Sequence, residues 1–239
     1  MFIIVTVAYF LLKMFSKTDK MVMIWTIIYF LMVLSTQFFI NISVSKNLCG
    51  NNQYGTASVA TFVPWIIMLG SIKLLLTAFP GWLAPFSNTF GYIVTKLLGI
   101  GDLFNNILSS KFDKTDISDN TKIAAEALEH IYADKSLFIN EITQQNFDTF
   151  WKRMSDSGLF KQNAGDYKDK LLNFVKIKDN VSEFIWYVLT GGLVSSVSYN
   201  YIVNSNCNRS VDELEQSVTN TENAISTQTQ DKRVYKSYE

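Results

Sequence analysis

Few side chains in this chain have the chemistry of a reaction centre. There is one histidine, His130, and there are two cysteines, Cys49 and Cys207, in 239 residues. Acid–base catalysis and transition-metal binding draw mainly on His, Cys and clustered carboxylates. His130 lies in Glu129-His130-Ile131-Tyr132, which reads as the surface of a helix, and neither cysteine has a histidine nearby in sequence. Asp113, Asp116 and Asp119 are three apart, not at the alternate positions of a calcium loop, and read as solvated linker. Gly99-Ile100-Gly101 is a bare GxG inside an amphipathic stretch. Phosphate-loop, nucleophile-elbow, zinc-protease and C-x-x-C patterns do not occur. No catalytic, cofactor-binding or metal-binding residue is assigned, and the chain is not expected to be an enzyme.

Two other chemistries remain. Lys73 is the one ionisable side chain well inside an apolar run, and Glu183 begins another such run at the same end. Intramembrane charge marks a functional candidate. Lys73 either pairs with Glu183 or snorkels outward on its four-carbon stem. Cys49 and Cys207 each follow an apolar run and fall on the same side of a membrane in the topology argued next. They are either a disulfide, which an oxidising lumen permits, or two separate thiols.

These residues are carried by long uncharged segments. Hydrophobic residues make up 48% of the chain and charged ones 18%, against about 25% in ordinary soluble proteins. Mean hydropathy is +0.12. Net charge is zero, yet residues 1–100 carry six lysines against one acid, Asp19, so no basic nucleic-acid surface is present. Residues 21–42 contain no charge, and a bilayer core takes roughly 20 residues of helix. Further spans are expected at 59–79, where Pro64 falls near the helix start, and within 181–203, whose uncharged core is 184–203. Residues 1–15 form a shorter apolar run, read as a fourth span with an interfacial helix as the alternative.

Residues 43–58 read as a polar loop and 80–108 as an interfacial segment, amphipathic from Tyr92 with Ile93, Leu97, Ile100, Phe104, Ile107 and Leu108 on one face. An amphipathic helix packed on a soluble core is the alternative there. Residues 109–180 read as a small helical soluble subdomain, with a helix around Ala124, Leu128 and Ile131, a second carrying Phe147, Phe150, Trp151 and Met154, and a third from Asp166 towards Lys178. Residues 204–239 read as a polar tail with a capping box at Ser210–Glu213. The overall class is therefore all-α and integral to the membrane, with three or four spans.

Gly191, Gly192, Ser195 and Ser196 form two overlapping small-xxx-small pairs and give an expected helix-packing face. Phe147, Phe150 and Trp151 are candidates for a partner surface or for an internal core. Lysines cluster at 13–20 and flank 80–180, which places both on the cytosolic side and puts 43–58 and 204–239 across the membrane.

The stretches FPGWLAPFSNTFGY (79–92) and FIWYVLTGGLVSSVSYNYIVNSNC (184–207) resemble multi-span internal-membrane and minor capsid-associated proteins of large icosahedral double-stranded DNA viruses of eukaryotes. The resemblance spans roughly residues 60–207 and rests on aromatic- and glycine-rich membrane segments. It implies a structural role in a virion membrane derived from the endoplasmic reticulum, with 80–180 facing the capsid shell. The implied partners are the lipid bilayer, other membrane or capsid proteins and a second copy of the chain, with no nucleic acid. A small channel, transporter or membrane-remodelling protein of the infected cell is the alternative, with Thr26, Ser35, Thr36, Gln37, Thr190, Ser195 and Asn200 as its polar lining.

Overall fold

The computed structural model describes residues 1–16, 18–108, 135–157, 159–205, 207, 215 and 218–222. All regular structure among them is helical, with one isolated antiparallel bridge between Leu108 and Phe160. Helix α1 is Phe2–Phe15, α2 is Asp19–Cys49 and α3 is Tyr54–Ala78. A 3-10 turn at Pro80–Leu83, the single turn α4 (Ala84–Phe86) and a π-turn at Ser87–Gly91 lead into α5 (Tyr92–Leu97) and α6 (Ile100–Ile107). After a 3-10 helix at Lys135–Glu141 come α7 (Phe147–Asp156) and α8 (Lys168–Asn204).

Among the described residues two helices are long and apolar enough to cross a bilayer, α2 and α3, fewer than the three or four spans expected. Helix α8, which carries the run 184–203, is not one of them because Gly, Ser, Asn and Tyr dilute its apolar residues. At 14 residues α1 is about 21 Å long, short of a hydrocarbon core. Its Phe2 ring lies 5.2 Å from that of Trp65, near the middle of α3, and against Gly191 of α8. The first apolar run is thus a helix of the short length expected from sequence, and α1 covers only part of its neighbours' length.

The polar loop expected at 43–58 shrinks to four residues. Once an apolar helix is nucleated, each further residue adds a hydrogen bond at little cost. The helix α2 therefore runs on through Ser43–Lys46 to Cys49, where Gly50 at φ 80° accepts the left-handed turn and donates to the Lys46 carbonyl at 2.8 Å. Because α3 begins at Tyr54, Pro64 sits well inside it and not in its first turn. The third soluble helix and the last apolar run likewise fuse into the 37-residue α8.

The described residues form two compact units. The first, Met1–Thr36 with Trp65–Val194, holds two apolar cores. One is a bundle core of Tyr9, Phe10, Tyr29, Val33, Trp65, Leu69, Ile72, Leu76, Tyr187 and Val194. The other is a head core in which α6 (Ile100, Leu103, Phe104, Ile107) meets Phe138, Ile139, Ile142, Phe147 and the start of α8 (Leu171, Phe174, Val175). That head core corrects the interfacial reading of 80–108. Gly99, at φ 92°, breaks the amphipathic run, so its second half turns into the head while Ile93 and Leu97 stay 53% and 82% exposed. The second unit, Gln37–Pro64 with Ser195–Glu239, holds the remaining turns of α2, α3 and α8. Within it Asn41 donates to Thr61 Oγ1 at 2.8 Å, both side chains buried.

Candidate functional site

The polar residues of the apolar helices are placed by helical period. In α2, Tyr29, Val33, Gln37, Asn41 and Ser45 recur every fourth residue and all are buried, while Met23, Ile27, Leu31 and Phe39 are exposed. Along α2 these hydroxyl and amide side chains thus share the packed side of the helix, where Asn41 and Tyr29 find partners across it. The same stripe in α1 is Thr6, Tyr9, Lys13. In the first unit these stripes meet. Thr6 Oγ1 lies 3.2 Å from Tyr29 Oη, and Tyr9 Oη lies 3.0 Å from Thr26 Oγ1. The Tyr9 and Tyr29 rings stack at 4.5 Å, with Tyr187 5.8 Å from Tyr29.

At the end of this column stands Glu183. Lys13 Nζ donates to its Oε2, and Lys73 Nζ donates to its Oε1 at 3.2 Å. The three charges come from α1, α3 and α8. Glu183 and Lys13 are nearly covered, with 11% and 14% of their side chains exposed, whereas Lys73 is 38% exposed. The structure thus places Lys73 beside Glu183 and adds Lys13, which the sequence reading treated only as a flanking charge. The Lys13 ammonium also lies 5.4 Å from the centre of the Phe10 ring, a cation–π contact that softens its burial.

A second buried charge, missed in the sequence, lies one turn and a half earlier on α8. Lys178 is 1% exposed and donates to the Ile139 and Ile142 carbonyls at 2.7 and 3.0 Å and to Asn88 Oδ1 at 3.2 Å. It thereby caps the 3-10 helix at Lys135–Glu141 and pins it to α8. Burial pushes its ammonium down to about 8, against the pull of the Asp179 and Glu141 carboxylates. Asp179 accepts from Ser87 Oγ at 3.0 Å and from Gln144 Nε2 at 2.9 Å. A Cβ on Gly91 would fall 2.5 Å from the Lys178 carbonyl oxygen, so only glycine lets the π-turn approach α8 this closely. Further along, Ser182 Oγ donates to the Leu83 carbonyl at 2.6 Å and Trp186 Nε1 to the Trp82 carbonyl at 2.9 Å.

In the second unit Cys49 and Cys207 form a disulfide with Cα atoms 5.4 Å apart, joining positions 158 residues apart in the chain. It ties the end of α2 to the residues just beyond α8.

Phe147 is 2% exposed in the head core, with Phe150 and Trp151 packed against it, and Trp151 stands 4.7 Å from Phe160. Amphipathic α7 turns its aromatic face inward, which is the internal-core alternative for Phe147, while Phe150 and Trp151 stay half-buried at its edge. Of the small-residue face, Gly191 is buried against Phe2, Ser195 is half-buried, and Gly192 and Ser196 are exposed. The packed face of α8 runs instead through Tyr187, Thr190, Gly191, Val194, Ser198 and Ile202, which recur within three or four residues of each other on one side of the helix. Gly192 and Ser196 lie about 100° of helix rotation away from Gly191 and Ser195.

Of the polar residues considered for a pore, Thr26 bonds Tyr9, Thr36 bonds its own backbone, and Ser35 and Asn200 are exposed, while Gln37 and Thr190 are buried and Ser195 is half-buried. Among the described residues no group of His, Cys, Asp and Glu could hold a metal. His130, Asp113, Asp116 and Asp119, the helix around Leu128, and the Ser210–Glu213 capping box lie outside the described residues. No protein family, curated protein or solved structure matches the chain.

Proposed function

We propose that this is a structural integral membrane protein that holds a helical head at fixed height on a bilayer. The observation that carries the reading is α8. Its first turns place Leu171, Phe174 and Val175 in the head core, and its later turns place Tyr187 and Val194 in the bundle core, without a break between. A helix continuous through two cores transmits position and leaves no hinge, which suits an anchor.

In this reading α2, α3 and the uncharged half of α8 cross the membrane, and α1 enters only part of the way. The head and the lysine-rich end face the cytosol, and the Cys49–Cys207 bond faces an oxidising lumen. The finer assignment, to an internal virion membrane beneath a capsid, rests on the resemblance of residues 60–207 alone. There the head would meet the capsid shell through residues other than Phe147, Phe150 and Trp151.

Membrane fractionation tests the general reading. The protein is expected in the pellet after high-speed centrifugation of detergent-free lysate and after alkaline carbonate washing; recovery in the supernatant refutes it. Recovery from purified particles, released only by detergent, tests the virion assignment, and exclusive recovery from host membranes refutes that step.

A further inference from the structure

Two cavities in the first unit share walls. One is a polar cleft of about 230 Å³ at the turn between α1 and α2, whose lining includes Asp19, Lys176, Asp179 and Glu183. The other is a groove of about 310 Å³ between α1 and α8, lined by Val7, Phe10 and Leu11 on one side and Ile177, Val181 and Phe184 on the other. Met14 and Asn180 line both. A charged cleft adjoining an apolar groove has the two-part chemistry of one lipid molecule.

The free charges narrow the class. Both Glu183 oxygens are taken by Lys13 and Lys73, and both Asp179 oxygens by Ser87 and Gln144. Asp19 and Lys176 are exposed and have no hydrogen-bond or ionic partner among the described residues. One unpaired carboxylate and one unpaired ammonium complement a headgroup that carries both signs. No aromatic side chain lines the cleft, so it lacks the cage that favours a quaternary ammonium. A primary ammonium, with hydrogens to donate to a carboxylate, fits better.

We propose that the cleft and groove together hold one glycerophospholipid of the ethanolamine class. Its ammonium meets Asp19, its phosphate meets Lys176, and one acyl chain lies between α1 and α8. The site rests on the membrane reading given above, but its failure is distinguishable. A protein that does not sediment with membranes defeats that reading, whereas a membrane-embedded protein with no lipid preference defeats only this site.

The test reconstitutes the full chain into vesicles of equal parts palmitoyl-oleoyl phosphatidylethanolamine, phosphatidylcholine and phosphatidylglycerol. The protein is then extracted in mild detergent, and the lipid that remains bound is weighed by mass spectrometry. Ethanolamine lipid is expected at about fivefold over each of the others, the ratio given by roughly 1 kcal/mol of selectivity. Val181→Trp fills the groove and is expected to abolish retention; Leu11→Trp, at a half-exposed position, does the same should the first variant misfold. Asp19→Lys is expected to shift retention to the anionic glycerol lipid. Lipid carried in the bulk ratio by the wild type, retention undiminished in both tryptophan variants, or an unchanged preference in Asp19→Lys each overturns the proposal.

Discussion

Replacing Glu183 with Gln keeps the shape of the side chain and removes the one negative charge between two lysines. At an effective dielectric of about 20, unit charges 3.2 Å apart attract by about 5 kcal/mol. Most of that is returned at Lys73, whose side chain is 38% exposed and can swing into water, so its share falls to about 1 kcal/mol or less. Lys13 has no such escape. Only 14% of its side chain is exposed, and its ammonium is held over Phe10. Breaking a buried pair by deleting one member costs about 3–5 kcal/mol, because the survivor stays buried and unpaired. The Phe10 ring returns a fraction of that, so Glu183→Gln is expected to lose about 3 kcal/mol.

The ordering of variants is a sharper expectation than any single value. Lys73→Met is expected to cost less than about 1 kcal/mol. Lys13→Met is expected to cost about 2 kcal/mol, since Glu183 keeps one partner, though a half-solvated one. Replacing all three by Met, Met and Leu is expected to fall within about 1 kcal/mol of the wild type, or above it, because desolvation and attraction are removed together. Reversible unfolding in mixed micelles, titrated with a denaturing detergent and followed by tryptophan fluorescence, gives the four values. The reasoning is refuted if Lys73→Met costs more than Lys13→Met, or if the triple variant is no more stable than Glu183→Gln.

Three further outcomes follow from the same structure. Folding lowers the Lys178 ammonium from its ordinary 10.5 to about 8, so between those values the unfolded chain holds a proton that the folded one has released; stability from this group should rise with pH across that window, by about 3 kcal/mol in total, and be flat below it. The wild-type-minus-Lys178→Met difference in unfolding free energy isolates that contribution, and a level difference from pH 7 to 10.5 would contradict it. Tyr187 Oη is buried with no hydrogen-bond partner among the described residues, so Tyr187→Phe should raise stability by up to about 1 kcal/mol in the micelle titration, and a loss would show that the hydroxyl has a partner. Cys49 and Cys207 should resist maleimide labelling until reductant is added, and Cys49→Ser should cost about 2–4 kcal/mol; labelling of untreated protein in membranes would rule out the bond.

Much of this architecture is visible in charge spacing, and what is hidden follows from one physical fact. Apolarity along the chain reports which solvent a helix prefers and says nothing of its depth or of which side it packs. The uncharged run at 21–42 therefore marks α2 plainly, while α1 gives the same signal although it stops beside the middle of α3. Loop-like composition at 43–49 misleads because Ser, Asn and Lys end a helix in water but not one already extended by twenty apolar residues. Lys73 and Glu183 stand out because each interrupts or borders an apolar run. Lys13 does not, since it sits among the flanking lysines, and only the Thr6, Tyr9, Lys13 stripe on an otherwise apolar helix hints that it points inward. Lys178 is harder still. It sits among Lys176, Asp179 and Asn180, and burial comes from a 3-10 helix some forty residues earlier whose carbonyls need a donor.

The buried charges have a further consequence for α8. In the proposed bilayer, an apolar helix against other apolar helices slides at little cost, because successive turns of Leu, Val and Ile are nearly equivalent to a hydrocarbon solvent. Displacing α8 by one turn, about 5.4 Å, would carry Glu183 away from Lys13 and Lys73 and leave all three charges poorly solvated. The same shift would take Lys178 from the Ile139 and Ile142 carbonyls and drive the tight Gly91 and Gly191 contacts into bulkier positions. These polar contacts contribute little net stability, yet they make every neighbouring register worse by several bonds at once. A protein whose proposed task is to hold a head at a set height needs that discrimination more than it needs a deeper energy minimum. On this argument the triple apolar variant, once Lys178→Met, Cys49→Ser and Cys207→Ser also remove the other polar and covalent ties, should still fold but with α8 in more than one register. Cysteine cross-linking between position 187 of α8 and positions 25, 29 and 33 of α2 should then give several products, where the wild-type background gives the single pair with position 29.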